Sequence, residues 1–134
     1  MGRVGASPLR WVRVTLDCRD AEALAAFYAA ILGWEVHARD GAGWVQLRDP
    51  AGGVGLNLQA EHWYEPPRWP EVPGAPTKMV HLELEVDDLE AAVGLVLDAG
   101  GAEASPQPHD RDQGRMRVML DPAGHPFCLF VPGE

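Results

Sequence analysis

Two stretches of the chain alternate strictly between apolar and polar residues. In 79–86, Val80, Leu82, Leu84 and Val86 take one set of alternate positions, and Met79, His81, Glu83 and Glu85 take the other. Successive side chains of an extended strand project to opposite faces, so this pattern predicts a strand with one apolar face. Val12, Val14 and Leu16 give a strand over 11–17 the same character. Each strand leads into a helical pattern headed by an aspartate, Asp20 or Asp88, placed to cap the first free amides. After Asp20, Leu24, Phe27, Tyr28 and Ile31 recur at i, i+3, i+4 and i+7 and form one buried stripe. Leu89, Val93 and Val96 do the same in a helix over 88–99. Gly33 ends the first helix, where a left-handed residue is usual, and Gly100-Gly101 ends the second.

The remaining pattern extends this correspondence. Strands are predicted at 34–39, 44–48 and 54–59 after the first helix, and at 102–104, 115–120 and 126–131 after the second. His81 repeats Arg13, Asp88 repeats Asp20 and Gly101 repeats Gly33 at one constant offset. Asp121-Pro122-Ala123-Gly124 repeats Asp49-Pro50-Ala51-Gly52 at an offset four residues longer. Proline at i+1 and glycine at i+3 suit a type I turn. The extra residues fall in the loop 105–114, which predicts that His109, Asp110, Arg111 and Asp112 are exposed. The chain thus reads as one duplicated βαβββ unit within a single domain, 1–134. Module one covers about 11–60, a linker 61–77, and module two about 78–132, with a loose arm over 1–9. Proline density keeps the linker free of regular structure. Its tryptophans and tyrosine are expected out of water, either pinning it to the core or, as Trp69 could, roofing a pocket.

Composition narrows the function. A formal charge of −9 disfavours nucleic acid, whose phosphates reward basic patches, and suits a neutral or cationic ligand. No stretch is apolar enough to cross a bilayer, and residues 1–8 lack the apolar core of a signal peptide, so no membrane partner and a cytoplasmic protein are expected. Cys18 and Cys128 are too few for a disulfide framework and are expected reduced in apolar strands, Cys128 as a small core hydrophobe.

Several motifs carry a resemblance. These are Ala26-Phe27-Tyr28 with Leu32-Gly33-Trp34-Glu35-Val36, the linker Pro66-Pro67-Arg68-Trp69-Pro70, His81 to Leu89, and Asp121 to Cys128. In this order, and twice over, they resemble the vicinal oxygen chelate superfamily, and within it the glyoxalase-like (glyoxalase/bleomycin resistance) domains, from Trp11 to Val131. The resemblance implies an α+β fold in which two tandem βαβββ modules form an eight-stranded half-barrel around a cavity, helices outside. It also implies a homodimer, and it turns Arg13, Thr15, His81 and Glu83 toward the cavity.

Metal-dependent members of that superfamily carry ligands at points that correspond here to Arg13, Leu56, His81 and Cys128. Arginine has no lone pair to give, leucine has no donor, and His81 with Cys128 is half a zinc site. No cofactor is therefore expected, although a divalent ion (Zn, Ni, Mn or Fe) recruiting Glu83 or Gln59 stays open. His81 has three readings: an imidazole satisfied by Glu83 or a carbonyl, a hydrogen-bond donor to a ligand, or a general base steadied by Glu83. Arg13 either pairs with Glu83 or clamps a ligand carboxylate or phosphate. His125 is expected to be exposed. The favoured function is metal-independent binding of a small, possibly cationic or aromatic, molecule by Arg13, Thr15, Gln59, Trp69, His81, Glu83 and Cys128. The alternatives are a lyase or isomerase acting on a small carbonyl compound, with His81 and Glu83 catalytic, and an unconventional metalloenzyme.

Overall fold

The structure, a computed structural model, describes residues 7–133. The expected arm lies mostly outside the described residues. The elements run β1 (Arg13–Cys18), α1 (Ala21–Leu32), β2 (Glu35–Asp40), β3 (Trp44–Arg48), β4 (Gly55–Ala60), β5 (Glu83–Glu85), α2 (Leu89–Asp98), β6 (Ala102–Glu103), β7 (Met116–Leu120) and β8 (Pro126–Phe130). The fold is α+β, two successive βαβββ units. The eight strands form two sheets of four, ordered β1-β4-β3-β2 and β5-β8-β7-β6, with no closed barrel. In each, the first strand lies parallel to the last, and the other neighbours are antiparallel.

Local chemistry sets the helix boundaries. Asp20 and Asp88 are extended, and each carboxylate accepts from the amide three residues on, Ala23 N at 3.0 Å and Ala91 N at 3.1 Å. Gly33 closes α1 with φ +68°. At the end of α2 it is Gly100 that turns left-handed (φ +109°), and Gly101 serves another purpose. A Cβ at Gly101 would stand 2.6 Å from Val96 Cγ1 and 3.0 Å from both the Leu120 carbonyl and the Phe27 ring. The two halves pack that closely there.

Each helix covers one face of its own sheet, and the covered faces meet in a common core. Phe27 and Tyr28 of α1 and Phe127 of β8 form an aromatic triangle, with ring centres 4.9 to 6.1 Å apart and edges toward faces. Such edge-to-face pairs add to the burial of large apolar area.

The edge strands are shorter than the alternation predicts. Only Glu83–Glu85 of 79–86 pairs in the ladder, although Cys128 N donates to the Leu82 carbonyl and Val86 N to the Phe130 carbonyl at its ends. Met79 takes φ +55°, which breaks the extended run, and it stays 90% exposed. Val80 and, in the first copy, Trp11 and Val12 are likewise exposed rather than packed. β6 stops after two residues because the Gln107 side chain takes over the strand edge, accepting from Val118 N and donating to the Val118 carbonyl. His109 to Asp112 are exposed, as expected.

Candidate functional site

Strand register decides which side chains share the sheet faces turned away from the helices. On the first sheet, Arg13, Thr15 and Asp17 stand beside Gly55, Asn57 and Gln59, and Gln46 stands beside Asn57. On the second, Glu83 stands beside Cys128, and Cys128 beside Val118. Leu56 belongs to the opposite face and is buried in the core, so it does not occupy a position facing Arg13. The residues across from Arg13 and Thr15 are Gly55 and Asn57, and neither is a carboxylate.

The second sheet carries the candidate site. A cavity of about 300 Å³ is lined by Trp69, Lys78, His81, Glu83 and Cys128 against an apolar wall that includes Met116 and Phe127. Linker and loop close over it together, because Trp69 Nε1 donates to the Pro106 carbonyl at 2.8 Å. Lys78 reaches Glu71 at 3.0 Å and stands 5.9 Å from the centre of the Trp69 ring. His81 Nε2 lies 3.4 Å from Glu83 Oε2, so a His–Glu couple exists, open to solvent on the Glu83 side. Cys128 is half-buried on this polar face, not a member of the core beside Phe127 and Leu129. Burial, with the Glu83 charge adding, raises its pKa and keeps the thiol protonated. The cavity therefore offers an aromatic ring, two carboxylates (Glu83 and Asp110), two cations (Lys78 and Arg111), an imidazole and apolar surface, which is the composition of a small-molecule site.

The other predicted residues lie elsewhere. Arg13 does not meet Glu83; its guanidinium faces the Gln46 amide, whose oxygen accepts from it once the amide is oriented for that bond. Thr15 Oγ1 accepts from Asn57 Nδ2 at 3.4 Å and borders a cavity of about 560 Å³ between β1 and the linker, with Trp63, Tyr64 and His125. Gln59 gives its amide to the Glu61 carboxylate. The structure gathers Trp69, His81, Glu83 and Cys128 and leaves Arg13, Thr15 and Gln59 apart. Trp63 is 86% exposed, its ring edge-on to His62, contrary to the expectation for linker aromatics.

One group of residues carried no sequence signal beyond the repeated turn. Asp121 is buried and accepts from Tyr28 OH at 2.6 Å, from Ala123 N and His125 N, and faces His125 Nδ1 at 2.8 Å. Tyr64 OH donates to the Ala123 carbonyl at 2.7 Å and stands 3.3 Å from His125 Nε2. His125 is thus largely buried and held at both ring nitrogens, not exposed. Burial and the Asp121 charge push the Tyr28 hydroxyl, and likewise that of Tyr64, well above the ordinary tyrosine value. The same causes raise the Cys18 thiol to about 11.

The donor set does not suit the superfamily's metal. A guanidinium stands at the first ligand point, and the positions of β4 that face it, Gly55 and Asn57, supply no carboxylate. Among the described residues no three His, Cys, Asp or Glu side chains converge as a metal set. Nor is any helix among the described residues long and apolar enough to cross a membrane.

Two βαβββ units with capped helices and polar sheet faces define the glyoxalase-like fold. A family model described as Glyoxalase-like domain matches residues 13–130, and the chain belongs to that family. Its structure is similar to a glyoxalase/bleomycin resistance protein/dioxygenase family enzyme from Burkholderia phytofirmans (21% identity, TM-score 0.66, covering 92% of this chain and 98% of that one). It is also similar to TnmS3, an antibiotic binding protein from a Streptomyces species (23% identity, TM-score 0.62, 95% and 99%). A glyoxalase family protein from Enterococcus faecalis is a third neighbour (22% identity, TM-score 0.63, 92% and 97%). No curated protein matches the chain.

Proposed function

We propose that this protein binds a small organic molecule without a metal, in the cavity that Trp69 closes over the second sheet. The observation that carries the reading is the convergence of Trp69, His81, Glu83 and Cys128 on one half-apolar cavity of about 300 Å³. The Trp69 ring and the Glu83 carboxylate favour a cationic or aromatic ligand, through π-face and charge attraction. A structural neighbour that binds an antibiotic, TnmS3, supports the same class of role. A homodimer is part of the proposal: the exposed Trp11, Val12, Met79 and Val80 lie next to the unpaired edges of β1 and β5, where a second copy would cover them. So is a cytoplasmic setting, where both free thiols stay reduced. The test is thermal melting across cationic antibiotics and small metabolites. A saturable rise that Trp69→Ala removes supports the reading, and no rise with any compound in the set contradicts it.

The 3.4 Å contact between His81 and Glu83 favours a second reading. In a lyase or isomerase, Glu83 would hold the imidazole while His81 took a proton from a carbon beside a carbonyl. His81→Ala would then abolish turnover of a substrate found in the screen; unchanged turnover would end that reading.

A further inference from the structure

The first sheet holds a second, differently charged site. Around a cavity of about 210 Å³, Arg13, Arg48, His37 and Gln46 stand with the backbone of Gly53 and Gly55. Gly55 lies under the path of Arg13. Arg13 lies on β1 directly beside Gly55 of β4, and its Cγ is 3.7 Å from where a Cβ at Gly55 would be. The arginine stem passes over Gly55, and its guanidinium reaches Gln46 on β3. Glycine within a strand weakens it, and it is tolerated where another group must pass close over the backbone.

The remaining members are arranged as a set. Gln46 is 8% exposed, and with its oxygen on Arg13 its amide NH₂ remains to donate. Arg48 shares that face two residues along β3, and its Nη1 stands 3.5 Å from His37 Nδ1. Asp49 borders the cavity, but its two oxygens accept the backbone amides of Ala51 and Gly53 in its own turn. Among the described residues neither Arg13 nor Arg48 has a carboxylate partner. Two cations therefore converge on a pocket of donors in a chain whose net charge is −9.

The geometry points to an oxyanion site here, one that takes a phosphate or carboxylate group of a small molecule. Paired guanidiniums bind such groups through parallel, charge-assisted hydrogen bonds, and the cavity has room for one. The site is independent of the cavity beneath Trp69. Its test is NMR titration of the full chain with inorganic phosphate and, separately, with acetate, at constant ionic strength balanced by chloride. Saturable shifts of the Gly53 and Gly55 amides, weakened about tenfold in Arg48→Gln and in Arg13→Gln, are expected. Saturation by phosphate alone assigns a phosphate ligand, and by acetate alone a carboxylate. Linear shifts with both anions, or equal binding in the wild type and both arginine variants, would overturn the proposal.

Discussion

The tetrapeptide Asp-Pro-Ala-Gly occurs twice, and its two copies do different work. At 49–52, Asp49 accepts the amides of Ala51 and Gly53, and Gly52 N closes the turn on the Asp49 carbonyl at 3.0 Å. At 121–124, Asp121 accepts the equivalent amides of Ala123 and His125, and Gly124 N closes on the Asp121 carbonyl at 2.9 Å. The backbone solution is the same. The first copy is a surface turn; in the second the aspartate is buried, tied to Tyr28 of α1 and to the His125 ring, and the linker packs on the turn at Pro66. Position by position, His125 replaces Gly53, where any Cβ would stand 2.4 Å from the Asp49 carboxylate as that carboxylate now lies. A local motif fixes its own turn, whereas its energetic weight comes from what the rest of the chain lays against it.

That difference can be broken by mutation. Asp121→Ala should cost about 3–5 kcal/mol, because it leaves the Tyr28 hydroxyl and the His125 ring without their buried acceptor. Asp49→Ala should cost about 1 kcal/mol, since water replaces its bonds. Equal losses in chemical denaturation would refute the contrast. The paired glycines come next. Gly101→Ala should cost about 1–3 kcal/mol by overpacking against Val96 and Phe27. Gly33→Ala meets nothing within 4 Å and pays about 1 kcal/mol for its left-handed backbone alone.

The smallest effect is in alkali. Tyr28 holds its proton more tightly folded than unfolded, so its stabilisation is complete below the unfolded value of about 10 and fades as pH rises toward the folded one. Cys18 behaves alike between 9.0 and about 11. Unfolding measured against pH should therefore show stability falling from about pH 9. Tyr64 contributes from the same point, so Tyr28→Phe should reduce the part that begins near 10 and leave the share of Tyr64; an unchanged slope would show that Tyr28 carries none of it.

The fold was legible because it rests on local rules: alternation, an aspartate cap at each helix, and a glycine at each end. Boundaries slipped at the sheet edges, where Met79 leaves the strand and Gln107 replaces one, since a side chain acting as a strand partner has no periodic signature. Half of the candidate site was legible for the same reason. His81 and Glu83 share a face by parity, whereas the place of Cys128, expected in the core, is set by the pairing of β8 with β5, and that of Trp69 by its contact with the loop at Pro106. What parity could not say is which faces meet. Arg13 and His81 are equivalent in the repeat, yet they face separate cavities, and Leu56 was off by one residue, enough to move it from the polar face to the core. The Tyr28–Asp121–His125–Tyr64 group joins both halves and the linker, and no spacing encodes that.

The most direct test of the account is calorimetry of the best-stabilising compound with metal-stripped protein in the presence of a chelator, repeated with added Zn²⁺. Saturable binding of equal strength in both, lost in Trp69→Ala, is the predicted result. Binding that appears only with the added ion would show that His81 recruits a metal, and would contradict metal-independent recognition on the second sheet.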